Sequence, residues 1–188
     1  MLGSQVDSAD IEIAWVEEID ARFAGEIRAL FNAVLETEDV IGFPGPLRGG
    51  EAEPFFEGVR LDVRLGRKRA LVVRSCGELV AMVLLSQNGQ PNCRHLGEVS
   101  KCMIHPRHRG RGILEAGLRA LCARCHELGI EVLTLDVRKG TRAEGLWRRL
   151  GFSPFGELPD YARVGGRTEA GVFMWAPVAR LAANPSHR

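Results

Sequence analysis

The segment His105-Pro-Arg-His-Arg-Gly-Arg-Gly112 sets three arginines and two glycines directly ahead of an amphipathic run. Charge and backbone freedom at that spacing suit the binding of a small anion. The first N–H groups of a helix lack intrahelical acceptors and carry the positive end of its dipole. Glycines let a phosphate oxygen approach the backbone, and Arg107, Arg109 and Arg111 can add charge-assisted hydrogen bonds. Two familiar phosphate loops do not fit. No Lys-Ser or Lys-Thr follows, as a P-loop needs, and Glu115 stands where a dinucleotide fingerprint requires its third glycine. A solvated basic turn remains the alternative reading of this motif taken alone.

A second spacing, Cys122-Ala-Arg-Cys125-His126, matches the C-x-x-C-H pattern of haem attachment. It lies inside a continuous helical pattern with no loop to expose it. Cysteines packed within a helix are therefore preferred over haem, and over a zinc site that would add Cys93 and His95. The five cysteines are an odd number at irregular spacing, which predicts reduced thiols, mostly buried.

Composition bounds the class of protein. The 188 residues, 45% apolar and 26% charged, predict one domain, 1–188, with a sizeable core. A net charge of +1 argues against the basic surface of a nucleic-acid binder, so the positive site is local. No run approaches 18 apolar residues, so no membrane partner is expected. The opening MLGSQVDSADIEIAW lacks the charged and apolar regions of a signal peptide, which predicts a cytoplasmic location. Residues 1–9 and 182–188 are expected to fray.

The elements that must position the arginine–glycine turn follow from periodicity. Ile11 to Trp15 alternates as a strand. Asp20 caps a helix to about Leu35, with Phe23, Ile27, Leu30, Phe31 and Val34 on one face. The Gly/Pro-rich stretch 41–54 is a loop, and 55–65 reads as a second helix. Strands 69–75 and 78–86 form a hairpin about Cys76-Gly77. A strand over 98–105 ends at Pro106, and Gly110 to about Leu128 is helical. A strand at 130–137 follows, then a helix at 141–152 running into a strand, and 172–178 closes the fold. Hairpins followed by a strand–helix–strand crossover imply a mixed α/β sheet whose crossover pair is parallel. Trp15 and Trp175 are expected in the core.

Met103-Ile104-His105-Pro106 followed by Arg107-x-x-Gly110-x-Gly112 resembles the V-x-P…Q/R-x-x-G-x-G/A pyrophosphate motif of the GNAT superfamily of N-acetyltransferases. Ala143-x-x-x-Trp147-x-x-Leu150-Gly151-Phe152 looks like that family's A-x-x-x-Y-x-x-x-G-F segment. Glu98-Val-Ser-Lys101, LDV (135–137) and Gly156-Glu-Leu-Pro-Asp-Tyr161 are most similar to acetyltransferases of the tabtoxin-resistance type, which acetylate the amine of an amino-acid-like toxin. The resemblance covers roughly 97–178. It implies a central mixed, largely antiparallel sheet with helices on both faces, and dimerisation as the family's usual assembly. Two departures stand out: Leu114 replaces a frequent glycine, and Trp147 occupies the position of a tyrosine that protonates the leaving thiolate.

The resemblance implies direct acetyl transfer from acetyl-CoA, as co-substrate, to a small-molecule amine. The pyrophosphate would lie on the N–H groups of Gly110, Arg111, Gly112, Ile113 and Leu114, near Arg107 and Arg109. The pantetheine would pair with the strand edge at Cys102, Met103 and Ile104, with Trp147 packed beside it. A backbone N–H near Cys102 or Met103 would polarise the thioester carbonyl. An alkylammonium of pKa about 10.4 is almost wholly charged at neutral pH, so a base is valuable. Glu98 is the first candidate, because it opens the strand that carries the thioester, as in many members of the family, and alternation sets it on one face with Ser100, Cys102 and Ile104; Asp136, in the neighbouring strand, is the second. Tyr161, the chain's single tyrosine, is the candidate acid, with water as the alternative. Cys102 reads as a small strand residue rather than a covalent acetyl carrier. The acceptor pocket is expected from loop 41–54, the helix after it and the 156–170 connection, with Phe43, Phe55 and Phe56 as lining. The competing functions are acetylation of protein N-termini or lysines, and a non-catalytic acyl-CoA-binding module.

Overall fold

Asp20 starts the first helix by accepting the Phe23 N–H on its carboxylate at 2.7 Å, satisfying one of the donors a helix start leaves open. In the computed structural model, which describes residues 11–37, 42–43, 45–47, 50 and 52–183, the elements run as follows. Strand β1 is Ile11–Val16, then α1 (Ala21–Leu35), α2 (Glu53–Arg64), β2 (Lys68–Ser75), β3 (Glu78–Gln87) and β4 (Leu96–Ile104). The second half holds α3 (Ile113–Leu128), β5 (Val132–Arg138), α4 (Arg142–Leu150), β6 (Ser153–Val164), β7 (Arg167–Pro177) and α5 (Val178–Ala182).

All seven strands join one sheet in the order β1-β2-β3-β4-β5-β7-β6. Every neighbouring pair is antiparallel except β4 and β5, which the α3 crossover makes parallel. This is the expected mixed, largely antiparallel sheet. The β2–β3 hairpin turns on Cys76 (φ 50°) and Gly77 (φ 81°), a left-handed pair that matches the twist of the two strands.

Strand alternation divides the core between two helical layers. Leu71, Val83, Leu85, Leu133, Leu135 and Met174 pack with Leu118, Leu121 and Cys125 of α3. Ala70, Val72, Met82 and Leu84 point the other way, against Ile27, Phe31 and Val34 of α1 and Phe56 and Val59 of α2. Each fully buried Leu, Val or Phe contributes about 1.5–3 kcal/mol relative to exposure. Helices α1 and α2 thus cover one face over β2–β4, and α3, α4 and α5 cover the other from β2 to β7. Among the described residues no helix is long and apolar enough to cross a membrane.

Several expectations change. The 156–170 connection is a hairpin: β6 runs to Val164 and turns through Gly165-Gly166 into β7. Residues 182 and 183 end a short helix, whereas 1–9 and 184–188 lie outside the described residues, as do 41, 44, 48, 49 and 51 of the expected loop. Trp15 and Trp175 are only half-buried. Each lies under a guanidinium, that of Arg124 at 5.2 Å and that of Arg180 at 5.8 Å, so each tryptophan is capped rather than enclosed. Of the five free thiols, only Cys122 and Cys125 are buried and Cys76 is exposed.

Candidate active site

Strand β4 changes phase in its middle. Leu84 pairs with Ser100 and Met82 with Met103, so Lys101 and Cys102 together face the single residue Val83. Lys101 takes up the extra length with φ 50°, a β-bulge. Before it, Val99 packs toward α3; after it, Cys102 packs toward α3 while Met103 turns to the α1–α2 core. The expected common face of Glu98, Ser100, Cys102 and Ile104 is therefore split. An inserted residue reverses every side chain beyond it.

The neighbouring strand separates at the same place. Parallel pairing of β4 with β5 runs from Leu96–Val132 to Glu98–Thr134 and stops, with the Thr134 hydroxyl donating to the Gly97 carbonyl at 3.2 Å near the apex. Beyond it the β5-facing edge of residues 99–104 has no strand partner. A groove of about 350 Å³ adjoins this opening, lined by Cys102, Met103 and Ile104 of β4, Arg109 to Leu114 except Arg111, and Trp147 of α4.

The arginine–glycine turn closes one end of the groove. Helix α3 begins at Ile113, three residues later than Gly110, because Gly110 (φ 72°) and Gly112 (φ 75°) are left-handed. Gly112 is the N-cap and no side chain caps the helix, which leaves its opening N–H groups facing the groove with the positive dipole end. Arg109 donates from Nε to the Ile104 carbonyl at 3.2 Å and so ties the turn to the end of β4. Arg107 and Arg111 are exposed and do not line the groove. His108, Glu115, Arg142 and Leu146 do line it; for Arg142 and Leu146 the sequence spacing carries no signal of this, since α4 approaches only through the fold. His105 accepts the Arg107 N–H on Nδ1 at 3.3 Å, and burial, then Arg111, hold the His108 imidazole below its usual pKa. Trp147 meets Phe152 edge-on at 5.1 Å.

A different set of side chains gathers on the α1–α2 face of the opening. Leu133, Leu135 and Val137 face α3, so Asp136 points the other way. Tyr161 donates its phenolic hydrogen bond to Asp136, and burial, then that carboxylate, push the phenol well above its ordinary pKa. Lys101 lies across the gap, its ammonium 5.5 Å from the centre of the Phe55 ring. Burial lowers its pKa; the nearby Asp136 carboxylate opposes the shift and Lys68 adds to it. Phe43, Phe55, Phe56 and Phe31 stack edge-to-face beside it at 5.2–5.9 Å, and Phe56 is buried. Glu98 stands apart, exposed in a depression with Ser86, Asn88 and Thr134 that shares no residue with the groove. Phe173, which packs on Tyr161 at 6.3 Å, was not singled out from sequence, and Lys101 entered only as the end of the Glu98-Val-Ser-Lys101 segment, with no role assigned to it.

The arrangement sets an uncapped helix start, an unpaired strand edge and the Asp136–Tyr161–Lys101 cluster around one opening. Residues 45–152, more than half of the chain, match the profile of the acetyltransferase (GNAT) family. The chain belongs to the GNAT acetyltransferase family. Solved structures carry the same fold. A ribosomal-protein-alanine N-acetyltransferase from Brucella melitensis is 23% identical over 89% of this chain and 98% of its own, with a TM-score of 0.69. A candidate phosphinothricin N-acetyltransferase is 18% identical over 89% and 98%, at 0.72. The protein yncA from Salmonella typhimurium, solved with its cofactor acetyl-CoA, is 19% identical over 94% and 99%, at 0.69. Within this GNAT acetyltransferase, the bulge at Lys101 and the parting of β4 from β5 bring Asp136 and Tyr161 to the same opening as the groove.

Proposed function

We propose that this GNAT acetyltransferase moves an acetyl group from acetyl-CoA to the amine of a small, amino-acid-like molecule, by direct transfer with both substrates bound. The observation that carries this reading is the opening itself. The β4 edge beyond Glu98 lacks a β5 partner, the uncapped α3 start lies at one end, and Asp136 bonded to Tyr161 lies on the acceptor side.

Acetyl-CoA supplies an acyl thioester already activated for transfer. The N–H groups from Gly110 to Leu114 hold its pyrophosphate, with Arg109 bracing the turn and Arg107 and Arg111 adding exposed charge. Backbone N–H donors at Cys102 or Met103 polarise the carbonyl, and Ile104 and Trp147 give the pantetheine an apolar wall. Asp136 takes the proton from the acceptor ammonium. Glu98 is the second base candidate: at about 3.3 Å per residue it stands roughly 13 Å down the strand from Cys102, so it acts only through water. Tyr161, engaged by Asp136, orients that carboxylate, and water protonates the departing thiolate, whose pKa near 8.5 makes it a tolerable leaving group. The aromatic wall of Phe43 and Phe55 favours a compact acceptor over an open peptide groove, which agrees with a role in protection from an amine-bearing toxin.

Thermal unfolding with and without acetyl-CoA tests the donor site. At a hundred times the dissociation constant the ligand adds about 2.7 kcal/mol, roughly 5–10 °C in midpoint for a chain of this size. No shift removes the reading. With the shift in hand, CoA release is measured with free amino acids, their amine-bearing analogues and N-terminal peptides. Turnover confined to peptides replaces the small-molecule acceptor with a protein one, and binding without turnover on any amine leaves an acyl-CoA-binding module.

A further inference from the structure

The opening already contains an amine. The chain carries three lysines, Lys68, Lys101 and Lys139, and uses arginine for every other permanent cation. Of the three, only Lys101 lies on the strand whose residues 102–104 line the groove. It forms the bulge of β4 itself, and the next residue, Cys102, lines the groove. Its side chain is half-buried and extends to the α1–α2 face, between the Phe55 ring and Gly42, with the Asp136 carboxylate near enough to act on it electrostatically. An acceptor amine must occupy this same side of the opening.

We infer that Lys101 is a self-acetylation site, modified on Nζ by acetyl-CoA bound in the groove when no acceptor fills the opening. The inference rests on the proposed donor site. In the step, the neutral Lys101 amine forms a C–N bond to the acetyl carbonyl carbon, and the C–S bond breaks with its electron pair on sulfur. The proton lost by the nitrogen passes by way of Asp136 and water to the thiolate. The products are N-acetyl-lysine at 101 and free CoA, and no oxidant or reductant is involved. Burial favours the neutral amine that the step needs. An arginine at this position, the residue the chain uses elsewhere, would be no nucleophile. The product is a neutral amide lying where the acceptor would bind, so modification closes the opening and slows turnover.

The test incubates the purified full chain with acetyl-CoA and no added amine, followed by intact-mass measurement and peptide mapping, alongside the thermal shift. The expected result is one acetyl group, mapped to Lys101, suppressed by excess CoA and absent from the Lys101→Arg variant although that variant keeps its thermal shift. Lys68 and Lys139 stay unmodified. A wild-type chain that shows the thermal shift yet carries no acetyl group at Lys101 overturns the inference and leaves the proposed function standing. So does labelling spread over all three lysines and insensitive to CoA, which is solution acetylation. A chain with no thermal shift fails at the donor site, and both readings then fall together.

Discussion

Tyr161 crosses Gly171 to reach Asp136 two strands away. Pairing of β6 with β7 jumps from Leu158–Gly171 to Ala162–Glu169, so a three-residue bulge carries Tyr161 over β7. A Cβ on Gly171 would lie 2.2 Å from Tyr161 Cγ. Gly171→Ala should therefore displace the ring and cost about 1–3 kcal/mol by overpacking. Urea unfolding reads the cost, and acceptor kinetics should fall with it. Because Tyr161 is hydrogen-bonded to Asp136, Tyr161→Phe and Asp136→Asn should be strongly non-additive. Additive losses in a double-mutant cycle would mean that the two side chains work separately.

Gly112 gives a cleaner backbone test. Its φ is 75° and a Cβ there meets nothing within 4 Å, so the requirement is conformational rather than spatial. Gly112→Ala should lose about 1–2 kcal/mol, and Gly112→Asn less, because asparagine tolerates this region. Both variants should weaken acetyl-CoA binding by disturbing the helix start. Equal stability of the alanine variant and the wild type would contradict the left-handed N-cap.

How much of this was legible in the sequence depends on the range of the cause. Asp20, the Cys76-Gly77 turn and the stop at Pro106 act on their immediate neighbours, and the expected boundaries follow closely. The glycine turn ahead of α3 was legible for the same reason. The bulge at Lys101 was not, because nothing within β4 marks where a residue will be inserted; the register against β3 decides it. Strand β6 was anticipated as the strand that the 141–152 helix runs into, but Pro154, Gly156 and Pro159 concealed how far it extends. It forms at the sheet edge, where those residues are tolerated because no further strand demands their N–H groups. Asp136 and Tyr161 were both named, but their hydrogen bond depends on the β6 bulge and a glycine on a third strand.

Thiol chemistry separates packing from catalysis. Burial pushes the Cys102 thiol up to about 12, and those of Cys122 and Cys125 to about 11 and about 12. The thiolate is the nucleophile, so alkylation near pH 8 should label the exposed Cys76 first and leave these three untouched in the folded chain. Rapid labelling of Cys102, mapped by mass spectrometry, would revive it as a covalent acetyl carrier.

Lys101 also makes a stability prediction with a definite sign. Its pKa in the folded chain lies below the ordinary 10.5, so the unfolded chain binds more protons between the two values. Stability must rise with pH across that window and is penalised below it. Lys101→Met removes the titrating group. Its stability relative to the wild type should therefore be highest near neutral pH and decline as pH approaches 10. Tyr161 slopes the other way: its raised pKa means stability falls as pH climbs above the ordinary 10.0. Measurements from pH 7 to 9.5 isolate the lysine. A pH-independent difference between the variant and the wild type would show that Lys101 is not perturbed by burial.

The choice of base can be decided by the same opening. Asp136 lies two residues past Thr134, where the strands have already parted, and faces Lys101 and Tyr161. Glu98 pairs with Thr134 at the closed end. Asp136→Asn should lower kcat/KM for the amine by about a hundredfold, the usual worth of a positioned base, with acetyl-CoA binding retained. Glu98→Gln should change kcat/KM by well under that amount. The added loss on combining the two reports whether a water chain from Glu98 still carries part of the proton transfer. A full loss in Glu98→Gln with Asp136→Asn near wild type would reverse the assignment. It would also mean that the acceptor amine sits at the apex beside Thr134 rather than between Lys101 and Asp136.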